Sequence, residues 1–170
     1  MGDESVPDTG RYALRSFFDG GADLQGLVAY IPHCVRVGME VVEVGPRRAR
    51  LRLPYRAELV GDPVRRVVFG GAITTLLDNA AGLAVSCSLE TLTTIATLDL
   101  RIDYLRAAAP ERPLLGEAVC YKVTKNVAFV RATAWEERPD DPFATSLATF
   151  MLGSSTAETS MARALREQGA

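Results

Sequence analysis

The sequence is poor in the groups from which most catalytic centres are built. It has one histidine, His33, in 170 residues. That excludes a metal site built on several imidazoles, and no three-ligand set stands near His33, so no metal is expected. Three cysteines, Cys34, Cys87 and Cys120, are odd in number and far apart, with no Cys-x-x-Cys pair. No disulfide framework follows, and the thiols read as reduced, small core residues of a cytoplasmic protein. Lysine plus arginine number 19 against 21 acidic residues, a net charge of −2, without the concentrated basic face of a nucleic-acid binder. Met1 to Gly10 has neither the basic start nor the apolar stretch of a signal peptide. The most apolar run, Ala72 to Leu89, is broken by Asp78 and Asn79, so it reads as an enclosed helix rather than a membrane span. There is no glycine-rich phosphate loop and no nucleophile elbow.

What is present is periodic. Leu14, Phe17 and Phe18 make a short amphipathic stripe that Gly20-Gly21 ends. Asp23 caps a second short helix, with Leu24, Leu27, Val28 and Ile31 on one side and Pro32 as its stop. Met39 to Val44 and Arg48 to Leu53 flank a Gly-Pro-Arg turn. In the second segment Ala49, Leu51 and Leu53 alternate with three arginines, the pattern of a half-buried antiparallel strand. Pro54 to Arg66 reads as a loop. A helix follows from Ala72 to Ser88, opened by Gly70-Gly71 and about 25 Å long at ~1.5 Å per residue. Four more strands are expected over Ile95–Leu105, Leu114–Val123, Val127–Trp135 and Phe143–Leu152. In the first of them Leu98, Leu100, Ile102 and Tyr104 share a face. Ser155-Thr156-Ala157-Glu158 has the form of a capping box for a last short helix ending near Gln168. One α+β domain, 1–170, is expected, with a helical extension over 1–38, a C-terminal helix over 154–170 and one long helix against an antiparallel sheet. A helix apolar on nearly every side needs more cover than one sheet face provides, so a second subunit is expected against the helix or the sheet edge.

Asp78 is the informative residue. A carboxylate in an apolar helix costs several kcal/mol unless it is paired or hydrogen-bonded, so it is either tied to a neighbour such as Thr75 or Asn79 or placed there for chemistry. Gly70 and Gly71 permit close backbone approach at a helix start, where unpaired N–H groups and the positive dipole end can polarise a carbonyl.

Phe69-Gly70-Gly71-Ala72-Ile73-Thr74-Thr75-Leu76-Leu77-Asp78-Asn79-Ala80-Ala81-Gly82 resembles the central-helix motif of the hotdog-fold acyl-CoA thioesterases of the phenylacetate-degradation branch. Leu98 to Arg106 resembles that family's long strand after the helix. The resemblance runs from roughly Ile31 to Gly153 and implies a hotdog fold, a long helix wrapped by five or six antiparallel strands. It implies hydrolysis of an acyl- or aryl-CoA thioester, with Asp78 as general base or nucleophile and the Gly71 N–H, with Gly70, as oxyanion donor. A hydroxyl near the start of the next strand would orient water, with Thr93, Thr94 and Thr97 as the open choices. Homodimers, pairing into tetramers with the site between subunits, are implied as well. No cofactor is expected beyond the coenzyme A of the substrate, and no nucleic-acid or membrane partner.

The motif departs from the family where its histidine is replaced by Phe69, and a preceding asparagine is missing, with Asp62 and Pro63 in that neighbourhood. Phe69 and Asn79 are expected to border the substrate. Arg106, Lys125 and Asn126 are candidates for the phosphates of coenzyme A. Leu83 stands where a hydratase of this fold would carry its histidine, which argues against that chemistry. The alternative to an active enzyme is a catalytically weak or inactive acyl-CoA-binding protein, to which Phe69 would contribute.

Overall fold

The computed structural model describes residues 10–18, 22–153 and 159–167. Three short helices come first, α1 (Arg15–Phe18), α2 (Gly26–Ala29) and α3 (Pro32–Val37). Pro32 does not end the helical region; it opens α3. A proline has no N–H to lose in the first turn, where that donor is unpaired anyway. It does force Ile31 into extended backbone (φ −97°, ψ 104°), which breaks the path between α2 and α3. Gly38, left-handed at φ 72°, closes α3 and releases the chain into the sheet. The expected stop at Gly20-Gly21 and the capping box at Ser155–Glu158 lie outside the described residues.

Strands β1 (Glu40–Gly45) and β2 (Arg48–Leu53) form a hairpin. Ala49, Leu51 and Leu53 point into the core, while Arg50 pairs with Glu117 at 2.6 Å and Arg52 with Glu40 at 2.8 Å. The expected loop over 54–66 carries a turn of 3-10 helix (Ala57–Leu59) and a small hairpin of β3 (Val60–Asp62) with β4 (Val67–Val68). Helix α4 (Gly70–Ser86) follows, and both glycines are its first residues rather than its prelude. Then come β5 (Ile95–Tyr104), β6 (Leu114–Val123), β7 (Val127–Trp135), β8 (Ala144–Leu152) and α5 (Ser160–Glu167). Thr159 caps α5, its hydroxyl accepting the Ala162 N–H at 3.0 Å.

Six strands form one antiparallel sheet in the order β1-β2-β6-β7-β8-β5. Helix α4 lies across its inner face, packed on β2, β6 and β7 in the middle and touching β5 and β8. Leu76, Leu77, Ala80, Ala81 and Ala84 are all fully buried there. The fit is close at Gly116 of β6, where a Cβ would lie 2.9 Å from Cγ of Leu76. Gly116→Ala therefore overpacks a core with no room to yield. It is expected to cost about 1–3 kcal/mol, read as a lower Tm in thermal melts.

The sheet does not cover all of α4. Gly71, Thr75, Asp78, Asn79 and Gly82 remain half-buried and Thr74 exposed, a strip along one side of the helix. The incompletely covered side is thus the polar one, and it adjoins β5, one of the two edge strands of the sheet.

Candidate functional site

Asp78 lies two turns into α4, on this strip. Its Oδ1 accepts a hydrogen bond from the Thr97 hydroxyl at 2.9 Å. A bulge in β5 makes the pair possible. Thr97 stands opposite Phe150 and Asp99 opposite Thr149, so Leu98 is an extra residue in the ladder. The bulge reverses the side-chain parity along the strand. Thr97 faces the helix, as do Leu100 and Ile102 further along, while Leu98 is 51% exposed. The expectation that Leu98 shares a face with Leu100, Ile102 and Tyr104 is corrected by this bulge. Of the candidate hydroxyls, Thr97 meets Asp78, whereas Thr93 donates to the Gly153 carbonyl at 2.7 Å.

Asn79, next to the acid, is held at both ends of its amide. It donates to the Thr75 carbonyl at 2.9 Å and accepts from the Cys34 thiol at 3.2 Å. Burial, with the Asp78 charge adding to it, pushes the Cys34 thiol up to about 11. Burial alone pushes Cys87 up to about 12 and is the largest effect raising Cys120. At pH 8 a thiol of pKa about 11 is ionised to about one part in a thousand. All three side chains are fully enclosed, so a thiol reagent is expected to leave them unmodified in the native protein. Denaturation should expose all three to titration.

The other half of the motif is the start of α4. Helix geometry leaves the N–H groups of Gly70 and Gly71 without acceptors inside the helix, and the dipole adds positive potential. No side chain caps this end. The Phe69 ring, 62% exposed, lies over Gly71, where a Cβ would fall 2.5 Å from the ring. The Tyr104 hydroxyl at the far end of β5 donates to the Gly70 carbonyl at 3.2 Å. Thus β5 touches the helix start through Tyr104 and the acid through Thr97. Gly71 and Asp78 are seven residues apart in sequence, or about 10 Å along the axis.

Beyond Asp78 a cavity of about 200 Å³ runs between α4, α2, α5 and the adjoining ends of β5 and β8. Asp78, Asn79 and Thr97 border it, and Leu27, Leu83 and Phe150 make its apolar walls. Gly82, one turn after Asp78, lines it as well. Sequence reasoning missed Gly82. Its signal was a glycine inside a helix, which costs about 1 kcal/mol relative to alanine and so calls for a reason.

The remaining candidates lie elsewhere. Arg106 grips both oxygens of Glu136 (3.0 and 2.7 Å) and the Asp141 carbonyl (2.9 Å). Glu136, 5% exposed, also accepts the Ala109 N–H at 2.6 Å. Burial works to raise the Glu136 pKa, but these donors outweigh it and leave the carboxyl below its ordinary value. Arg106 thus ties the end of β5 to the β7–β8 connection. Lys125 and Asn126 form the exposed β6–β7 turn, where the Asn126 carbonyl accepts the Leu152 N–H at 2.8 Å. That turn shares the end of the sheet from which Ile95 and Thr97 emerge. His33 is exposed on α3. Among the described residues there is no metal-binding cluster and no helix long and apolar enough to cross a membrane.

A long helix held in one antiparallel sheet, with a carboxylate at its middle beside an apolar cavity, defines the class: a hotdog-fold hydrolase of thioesters. The thioesterase superfamily model matches residues 66–142, 77 of the 170 residues. A protein of Halobacterium salinarum described as a candidate esterase is 33% identical over 108 residues, 62% of this chain and 66% of its own length, just under two thirds. The medium/long-chain acyl-CoA thioesterase YigI of Escherichia coli is 29% identical over 139 residues, covering 74% of this chain and 88% of YigI. A crystal structure of a Pseudomonas aeruginosa protein superposes with a TM-score of 0.69 at 39% identity. That match covers 76% of this chain and 96% of the other.

Proposed function

We propose that this enzyme hydrolyses acyl-CoA thioesters, with Asp78 as the catalytic carboxylate and an aliphatic acyl chain seated in the cavity beside it. The observation that carries the reading is the Asp78–Thr97 pair at the border of an apolar cavity. The likeness to a medium/long-chain acyl-CoA thioesterase supports it. Thr97 holds one oxygen of the carboxylate and leaves the other to act. As general base, Asp78 takes a proton from water as the water oxygen attacks the thioester carbonyl. The tetrahedral oxyanion then collapses, the C–S bond breaks, and the proton returns to the departing thiolate. As nucleophile, Asp78 would form an anhydride with the acyl group, which water then opens. Both routes end in free acid and coenzyme A, and both develop an oxyanion that needs a donor.

The Gly71 N–H is that donor, but a 10 Å separation along one helix keeps it from a carbonyl at its own chain's Asp78. A second copy supplies it. Strand β5 is an open edge of ten residues, the kind of surface that pairs unless blocked. Antiparallel self-pairing centred on Leu100 sets Asp99 of each copy against Arg101 of the other, a favourable cross-strand charge pair. The same register puts Thr97 of one copy opposite Asp103 of the other, one residue short of Tyr104. Since Thr97 holds Asp78 and Tyr104 touches Gly70, two composite sites arise, each with the acid from one chain and the helix start from the other. Phe69, beside Gly71, then borders the substrate, with Asn79 on the acid side. The Lys125–Asn126 turn, at the same end of the sheet as Thr97, is placed for the phosphates of coenzyme A.

The test is thiol release from straight-chain and aryl-CoA thioesters by the wild type and Asp78→Ala. Release that collapses in the variant supports the assignment, and preference for aryl groups would replace the aliphatic substrate. No cleavage of any thioester would leave a protein that binds acyl-CoA without turning it over.

A further inference from the structure

The cavity beside Asp78 has an end wall, and the wall comes from the C-terminal helix. Asp78, Gly82 and Ser86 recur every fourth residue on α4 and all line the cavity, a row about 12 Å long. At the Ser86 end the cavity shares Tyr30, Ser86, Ile95 and Met161 with a second cavity of about 220 Å³. Those four residues are therefore the partition between the two spaces. Tyr30 and Met161 come from the α2–α3 connection and from α5, both outside the stretch 66–142 that the superfamily model matches. Met161 is 8% exposed and α5 packs against α2. An unbranched thioether side chain at such a boundary can adopt several shapes at little cost. At the opposite wall Gly82 has no side chain; a Cβ there would meet Ile95 at 3.5 Å and Phe150 at 3.7 Å, ordinary contact distances.

We propose that Met161 of α5 is the end stop of the acyl-chain channel and that Gly82 keeps its middle open, so that together they set the chain length this enzyme accepts. This rests on the acyl-CoA reading above. A cavity of about 200 Å³ closed at one end by Met161 takes an acyl chain of limited length. Longer chains must displace Met161 into, or pass it toward, the second cavity.

The experiment compares kcat/KM over acyl-CoA thioesters from acetyl to palmitoyl for wild type, Met161→Ala and Gly82→Ala. One methylene of apolar fit is worth about tenfold or more in specificity. Met161→Ala is thus expected to raise the long-to-short ratio about tenfold, and Gly82→Ala to lower it by a similar factor. Gly82→Ala makes only ordinary contacts and favours the helix, so it reports even if Met161→Ala does not fold. In parallel, calorimetry gives the affinity of S-alkyl-CoA thioethers of matched lengths for each protein. Folded variants whose length optimum stays at the wild-type value in both assays would overturn the inference. If wild type cleaves no thioester, the acyl-CoA hydrolase reading fails instead. The thioether affinities then decide the channel alone: a length limit moved by the two variants in opposite directions upholds it, and an unmoved limit rejects it.

Discussion

Asp78→Ala is expected to lower kcat for thioester hydrolysis by about 10²–10⁴-fold, the usual contribution of a general acid–base group, without lowering the stability of the fold. The two halves of that expectation come from different physics. In a helix interior alanine is the better residue by up to ~0.7 kcal/mol, and a half-buried carboxylate among leucines and alanines carries a desolvation cost. Thr97, which loses its acceptor, is exposed and finds water instead. The variant should melt at or above the wild-type Tm while thiol release collapses. A site built for folding would behave the other way, with stability and activity falling together. Thr97→Val should be milder, about tenfold in kcat, since one hydrogen bond to a charged group is worth ~1.5–3 kcal/mol at most and only orientation is lost.

Mixing two inactive variants is expected to restore activity. Gly71→Pro deletes the backbone donor outright, at a helix position where the missing N–H breaks no intrahelical bond, and its Cβ requires the exposed Phe69 ring to swing aside. Loss of one oxyanion donor should cost about 10²–10³-fold. In a mixed dimer of Asp78→Ala with Gly71→Pro, one composite site carries both lesions and the other carries neither. Random exchange of equal amounts makes about half the dimers mixed, so about one quarter of wild-type activity should return. The measurement is thiol release after co-refolding the two variants, against each variant refolded alone. Recovery requires that acid and donor come from different chains. Unrecovered activity would place both in one chain, which the length of helix between them opposes, or remove Gly71 from the mechanism.

The Asp78→Ala test reads a residue that the sequence exposed directly. A carboxylate inside an apolar run is visible in one dimension because its cost is local. The same holds for β2, where Ala49, Leu51 and Leu53 alternate with three arginines, and for the β6 and β7 segments, whose expected bounds match the strands. Local alternation reports which face of a strand is buried, and that was enough for the antiparallel sheet and its enclosed helix. Pro32 misled because the same ring ends one helix and opens another, and sequence alone does not say which side of it will fold.

Tertiary structure decided which hydroxyl meets the acid. Thr93, Thr94 and Thr97 are equivalent in sequence. The bulge at Leu98 turns Thr97 toward α4, and a bulge depends on the neighbouring strand, β8, whose register it interrupts. Arg106 reads in sequence as a free cation; in the fold it is held by Glu136, thirty positions away, whose side chain is almost fully buried. The cavity is likewise invisible in the chain, since Leu27, Gly82, Phe150 and Met161 share no local pattern. The sequence by itself determined the elements, the enclosed helix and its one costly carboxylate, because those follow from nearest-neighbour periodicity and the price of burying charge. What surrounds that carboxylate was decided only when distant segments packed, because the shape of a cavity is set by contacts between residues far apart in the chain.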